Sequence, residues 1–234
     1  MVFGRDNILH VARLDGGDSH PVSRAGMRAR MPVWSPDGSR IAFQADPEGK
    51  AVIWTVSIDG SHIQKAVEAR GDVGSAVWAP DGDRLAYADF STGPGRVGVR
   101  SLRTGVHEEL PPFDSARSFR PTSWSPDGEH LAGHVRDVGG IVVYSFRDRI
   151  YEKLTSGRDF GPAWLSDGQR LLFESDDRIG KLMIVDRLTR NVRTLEPWSA
   201  GPDDLNVARI TRAGTRVFLG RVHQESDVWM VRRP

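Results

Sequence analysis

The chain has 234 residues, with 32 Lys plus Arg against 31 Asp plus Glu, 38% hydrophobic and 27% charged residues, and no cysteine. That composition belongs to a folded chain large enough to bury a core without staples, and it excludes disulfides, thiolate catalysis and Cys-ligated metal sites. Near-neutral charge without a basic cluster argues against nucleic acid as a partner, and no run approaches the ~18 apolar residues of a membrane-crossing helix.

In chain order, the start MVFGRDNILHVARL has no basic region followed by an apolar run, so no signal peptide is expected. Val2-Phe3 and Leu9-His-Val-Ala12 read as short strands, the second leading into Asp15-Gly16. Trp34-Ser-Pro-Asp-Gly38 then opens a unit that repeats. An apolar run follows it (Ile41-Ala-Phe43), then a second run (Ile53-Trp-Thr-Val56) and Asp59-Gly60. The box returns as Trp78-Ala-Pro-Asp-Gly82, Trp124-Ser-Pro-Asp-Gly128 and Trp164-Leu-Ser-Asp-Gly168, and in worn form as Ile210-Thr-Arg-Ala-Gly214. The period is about 40–46 residues, the spacing of a repeat architecture. Each box is followed by its own pair of apolar runs, the last being Val217-Phe-Leu219 and Val228-Trp-Met-Val231. The repeats divide a single domain, 1–234, into a partial unit 1–27 and units 28–70, 71–115, 116–157, 158–200 and 201–234.

The chemistry of one unit is antiparallel. Ser35-Pro36-Asp37-Gly38 has Ser at i, Pro at i+1 and Gly at i+3, the preferences of a type I turn. Runs of three to six β-branched and aromatic residues between such turns are strands, and no 3.6-residue pattern is long enough for a helix. Three or four strands per unit, repeated radially, predict an all-β propeller. A lone blade cannot bury both faces, so Trp34, Trp78, Trp124 and Trp164 are expected in the core between blades. Pro36, Asp37 and Gly38, Asp81 and Gly82, Asp127 and Gly128, and Asp167 and Gly168 are expected to shape the turns.

The unit W-S-P-D-G, strand, loop, I-x-V-x, D-G resembles the WD40-like repeat of the TolB propeller family, at five clear positions and one partial. The resemblance implies a six-bladed propeller. Similar repeats build the propellers of prolyl-oligopeptidase-like peptidases and the C-terminal sensor regions of some bacterial kinases and regulators. Ring closure stays open: six blades with the first incomplete, five closed blades plus an extra N-terminal strand, or a piece of a longer protein.

Chemistry is sparse. There is no G-x-S-x-G elbow, no Walker motif and no G-x-G-x-x-G opening a helix. His130 and His134 flank a strand segment, where four residues span roughly 13 Å, too far for one metal. The first strands, read as Met31–Trp34, Ser75–Trp78, Pro121–Trp124 and Gly161–Trp164, contain no Asp or Glu. No enzyme, metal or cofactor is therefore expected.

What remains is the rim where loops enter the first strands. Arg30, Asp72, Phe119, Arg120, Asp159 and Asn206 fall there, a mix of Arg, acid and aromatic suited to a protein or peptide partner. The expected function is a monomeric binding propeller, the docking or sensing part of a larger bacterial regulator. The alternative is a propeller enzyme or accessory domain acting on peptides or carbohydrates. The resemblance alone implies the cell envelope and partners of the Tol–Pal system.

Overall fold

The computed structural model describes residues 1–13, 17–91, 95–135, 137–175, 181–195, 207–210 and 217–220. Their regular structure is entirely β. The first sheet has three strands, β1 (Val2–Arg5), β2 (Ile8–Ala12) and β3 (Ser19–Pro21). Four four-stranded meanders follow. The second sheet is β4 (Arg30–Trp34), β5 (Arg40–Ala45), β6 (Val52–Ser57) and β7 (Gln64–Val67). The third is β8 (Val73–Trp78), β9 (Arg84–Asp89), β10 (Arg96–Ser101) and β11 (His107–Glu109). The fourth is β12 (Phe119–Trp124), β13 (His130–Val135), β14 (Ile141–Ser145) and β15 (Ile150–Lys153). The fifth is β16 (Asp159–Trp164), β17 (Arg170–Ser175), β18 (Lys181–Asp186) and β19 (Val192–Thr194), and β20 (Val207–Ile210) pairs with β21 (Val217–Gly220).

The boxes make the turns that their residues favour. In the first, Gly38 N donates to Ser35 O at 3.0 Å, and the Asp37 carboxylate accepts from Ser35 Oγ at 2.6 Å and Ser39 N at 3.1 Å. Asp81, Asp127 and Asp167 repeat the device, accepting from the backbone N–H of Asp83, Glu129 and Gln169 at 2.8, 2.9 and 2.9 Å. Gly38, Gly82, Gly128 and Gly168 close the turns at φ of 74°, 71°, 79° and 67°, where a Cβ would be strained. Hydrogen bonds from Ser35 and then Ser39 hold the Asp37 carboxyl well below the usual carboxylate range.

Packing runs from face to face between sheets. One apolar cluster joins Ala42, Ile53 and Val67 of the second sheet to Trp78, Leu85 and Tyr87 of the third. The next joins Val77, Ala86 and Val97 to Phe119, Trp124 and Tyr144, and a third joins Ala132, Ile141 and Val143 to Trp164, Leu171 and Phe173. Each of these three Trp thus packs on the sheet before it. Trp78, Trp124 and Trp164 are 7%, 7% and 5% exposed, as the repeat leads one to expect.

Trp34 departs from the expectation: it is 37% exposed. The reason lies in what precedes it. Arg40, six residues into its box, covers the ring of Trp78, and Arg84 covers that of Trp124. The first sheet carries no such box, so Trp34 has no equivalent cover among the described residues.

Candidate functional site

The first strands of consecutive sheets neighbour one another, so they line the interior of the array. Each of β4, β8, β12 and β16 carries a register shift, between Arg30/Val33, Gly74/Val77, Pro121/Ser123 and Phe160/Ala163. A bulge re-aims the side chains beside it. Just ahead of the shifts stand four cross-strand pairs at one end of the sheets: Arg30 with Gln44, Gly74 with Ala88, Arg120 with His134, and Phe160 with Glu174.

These pairs join into an arc. Arg30 donates through Nε to Gln44 Oε1 at 2.8 Å and lies 3.3 Å from the Asp46 carboxylate. Gln44 Nε2 donates to Val73 O of the next sheet at 2.6 Å. There Gly74 leaves the room that Gln44 and Phe90 fill: a Cβ would stand 3.2 Å from Gln44 Nε2 and 3.6 Å from the Phe90 ring. Phe90 in turn lies under the Arg120 guanidinium, 5.1 Å from centroid to Cζ, a cation–π contact. His134, opposite Arg120, meets Phe160 edge to face at 5.5 Å. Burial, and then the Arg120 charge, hold the His134 imidazole down at about 4, so it is neutral at pH 7. His130, at the other end of β13, is lowered mainly by burial and packs 6.1 Å from the Trp164 ring.

Of the six residues expected at the rim, Arg30 and Arg120 are in the arc. Asp72 is exposed beside it and accepts from Ala51 N at 2.8 Å, so it ties down the turn between β5 and β6. Asn206 lies outside the described residues. Phe119 and Asp159 overturn the expectation of exposure. Phe119 is 3% exposed, edge-on to Tyr151 at 5.3 Å, and Asp159 is 5% exposed. Both stand where strands begin, two residues earlier than the first strands read from the sequence. Side chains alternate between faces along a strand, so Phe119 points into the core while Arg120 does not. Asp159 is accordingly a carboxylate within a first strand, where none was expected. Gln44, Phe90 and His134 were missed, because each sits at or just past the end of a second strand and joins the arc only through the next sheet.

The arc supplies hydrogen-bond donors, one charge-neutral imidazole and two aromatic rings. Among the described residues no group of three or more His, Asp or Glu side chains could hold a metal ion. A shallow depression lined by Pro47, Trp54, Lys65 and Glu68 lies between the β5–β6 turn and the outer strands of the second sheet.

The family described as TolB beta propeller domain matches residues 59–189. Among curated relatives, the Tol-Pal system protein TolB of Hydrogenovibrio crunogenus is 35% identical over 63 residues, which are 27% of this chain and 15% of that protein. The crystal structure of TolB from Acinetobacter baumannii superposes with a TM-score of 0.69 at 18% identity, covering 93% of this chain and 60% of that one. A Mycobacterium tuberculosis puromycin-hydrolyzing peptidase superposes at 0.66 and 21% identity, over 94% of this chain and 43% of its own. At those identities the structural likenesses establish the fold, a propeller of TolB type.

Proposed function

We propose, from the premise that this chain belongs to the TolB beta-propeller domain family, that it is a non-enzymatic docking module that binds a protein or peptide at the arc. The observation that carries the reading is the convergence of Arg30, Gln44, Phe90, Arg120, His134 and Phe160 from four successive sheets at one end of the array. Arg and aromatic side chains dominate binding hot spots, and loops and strand ends on a rigid scaffold are where recognition concentrates. A catalytic reading has less support. Acid–base work on glycosides needs two carboxylates about 5–10 Å apart, and Asp159 is the single carboxylate among β4, β8, β12 and β16.

The chain spans 60% of the Acinetobacter TolB chain and 15% of the curated relative, so the partners of those proteins come to this one only as candidates. The test is partner capture from the native host with the parent chain, with Arg30→Glu/Arg120→Glu, and with Ser39→Lys/Glu129→Lys at the opposite end. The reading expects the first variant alone to lose the partner; loss with the second alone puts the site on the other face.

A further inference from the structure

The first sheet repeats the plan of the others from the second strand onward. Leu9 O accepts from Val22 N at 2.8 Å, as Val97 O does from Leu110 N, Ile141 O from Leu154 N and Leu182 O from Leu195 N. The last three acceptors belong to the third strands β10, β14 and β18, so β2 is a third strand and β1 a second one. The registers agree: Gly4 faces Leu9 as Gln44 faces Ile53, Ala88 faces Val97 and His134 faces Ile141. Met1 therefore stands where Ile41, Leu85 and Leu131 stand. Those three are paired with the box Trp of a first strand and are 0% exposed, whereas Met1 is 52% exposed. No first strand pairs with β1 among the described residues. Met1 and Ala12 exchange both backbone bonds, and such pairs alternate along an antiparallel ladder. Val2 and Gly4 thus turn their N–H and C=O away from β2, onto an open edge. Gly4 is exposed, and a Cβ built on it would meet nothing within 4 Å.

We propose that this edge is a second interaction surface: it takes an extended apolar segment of a partner polypeptide, antiparallel to β1, with a basic side chain over Trp34. A row of unpaired backbone groups is a template for a further strand. The chemistry of the segment follows from the sheets that are complete. Gly74, Val77 and Trp78 of β8 pair with Ala88, Ala86 and Leu85, the counterparts of Gly4, Val2 and Met1. Arg40 and Arg84 directly precede Ile41 and Leu85, and each covers the box Trp of the following sheet. The first sheet has no counterpart of them, β1 lies against β4, and Trp34 of β4 is 37% exposed. A segment that continues through a turn to an Arg, as Trp78 continues to Arg84, supplies both the strand and the cation.

The probe is a capped peptide with the sequence of residues 73–84, titrated into the full chain. NMR follows the amides of Val2 and Gly4 and the indole of Trp34. Saturable shifts are expected, with hydrogen exchange slowed at Val2 and Gly4 and unchanged at Phe3, whose amide already faces β2. Gly4→Pro removes one donor from the open edge and none from the β2 pairing, so it should weaken binding about tenfold. Arg84→Ala in the peptide should weaken binding to the parent about two- to fivefold, and binding to Trp34→Ala not at all. A peptide that shifts neither amide overturns the proposal, and so does an Arg84 effect that survives Trp34→Ala. Slow exchange at Val2 and Gly4 in the free monomer would put residues 221–234 on this edge, and protection that grows with protein concentration would put a second copy there. Either result overturns the partner strand, and neither bears on docking at the arc.

Discussion

The guanidinium of Arg84 lies over the ring of Trp124, 5.1 Å from its centroid, although the two residues belong to different sheets. Arg40 stands in the same relation to Trp78 at 4.9 Å and also donates to Gly82 O at 2.7 Å, so one sheet's box caps the next sheet's tryptophan and turn. The repeat is therefore a chain of handshakes, and its energetics should be read by position in that chain.

Trp124→Ala is expected to cost about 3–5 kcal/mol, the range for truncating a fully packed aromatic. Trp78→Ala should cost the same. Trp34→Ala, at a ring 37% exposed, should cost no more than about 1 kcal/mol. Urea unfolding of the three variants checks the order. Equal losses at Trp34 and Trp124 would mean that the first sheet covers its neighbour as fully as the others do.

Met31 is strained. It has a φ of 52° at the register shift of β4, and its side chain is 53% exposed. The corresponding shift in β16 holds Gly161 at a φ of 60°. A non-glycine residue in this region costs roughly 1 kcal/mol, while an exposed methionine contributes little packing. Met31→Gly should accordingly leave stability unchanged or raise it by about 0.5–1 kcal/mol, read as a higher melting temperature. A loss above about 1 kcal/mol would show that the Met31 side chain packs in solution.

The turns and strands were legible because their chemistry is local: Ser, Pro, Asp and Gly in four consecutive positions specify a turn without help from the rest of the chain. The inter-sheet tryptophans followed from the need to bury both faces of a blade. Phe119 and Asp159 were misjudged because β12 and β16 begin two residues earlier than expected, which turns two loop positions into strand positions whose side chains face the core. Gln44, Phe90 and His134 could not be found from spacing, since each reaches the arc through contacts with a neighbouring sheet. Trp34 was misplaced for a related reason: its exposure depends on what the first sheet lacks.

Gly133 supports the arc from beneath. A Cβ at that position would collide with the backbone carbonyl of Arg120 and come within 2.7 Å of the Phe119 ring. Neither can move cheaply, because the carbonyl lies in the β12–β13 pairing and the ring is in the core. Gly133→Ala should cost about 2–3 kcal/mol, as overpacking does, and should displace Arg120 from Phe90. A crystal structure or the Arg120 side-chain resonances would register the shift. A variant as stable as the parent, with Arg120 unmoved, would mean that β12 and β13 stand farther apart than described.

The pH dependence of stability should carry a signature of His134. Burial and then the Arg120 charge depress its imidazole from an ordinary 6.5 to about 4 in the folded protein. Between those values the unfolded chain binds a proton that the folded chain refuses, so stability falls as pH drops from 6.5 towards 4 and the effect levels off below that. His130, lowered by burial and Arg187, acts in the same direction. The turn carboxylates act in a different window. Desolvation opposes the charged form of Asp81 and Asp167, but backbone hydrogen bonds outweigh it and leave both below the ordinary 3.8, so their contribution persists until the pH falls beneath that value. The loss due to His134 is on the order of 1–3 kcal/mol across its window. His134→Leu has no proton to bind in either state, so its urea midpoint should fall less between about pH 7 and 4.5 than the parent's. Parallel slopes for parent and variant would show that the imidazole is solvated in the folded state and free to titrate.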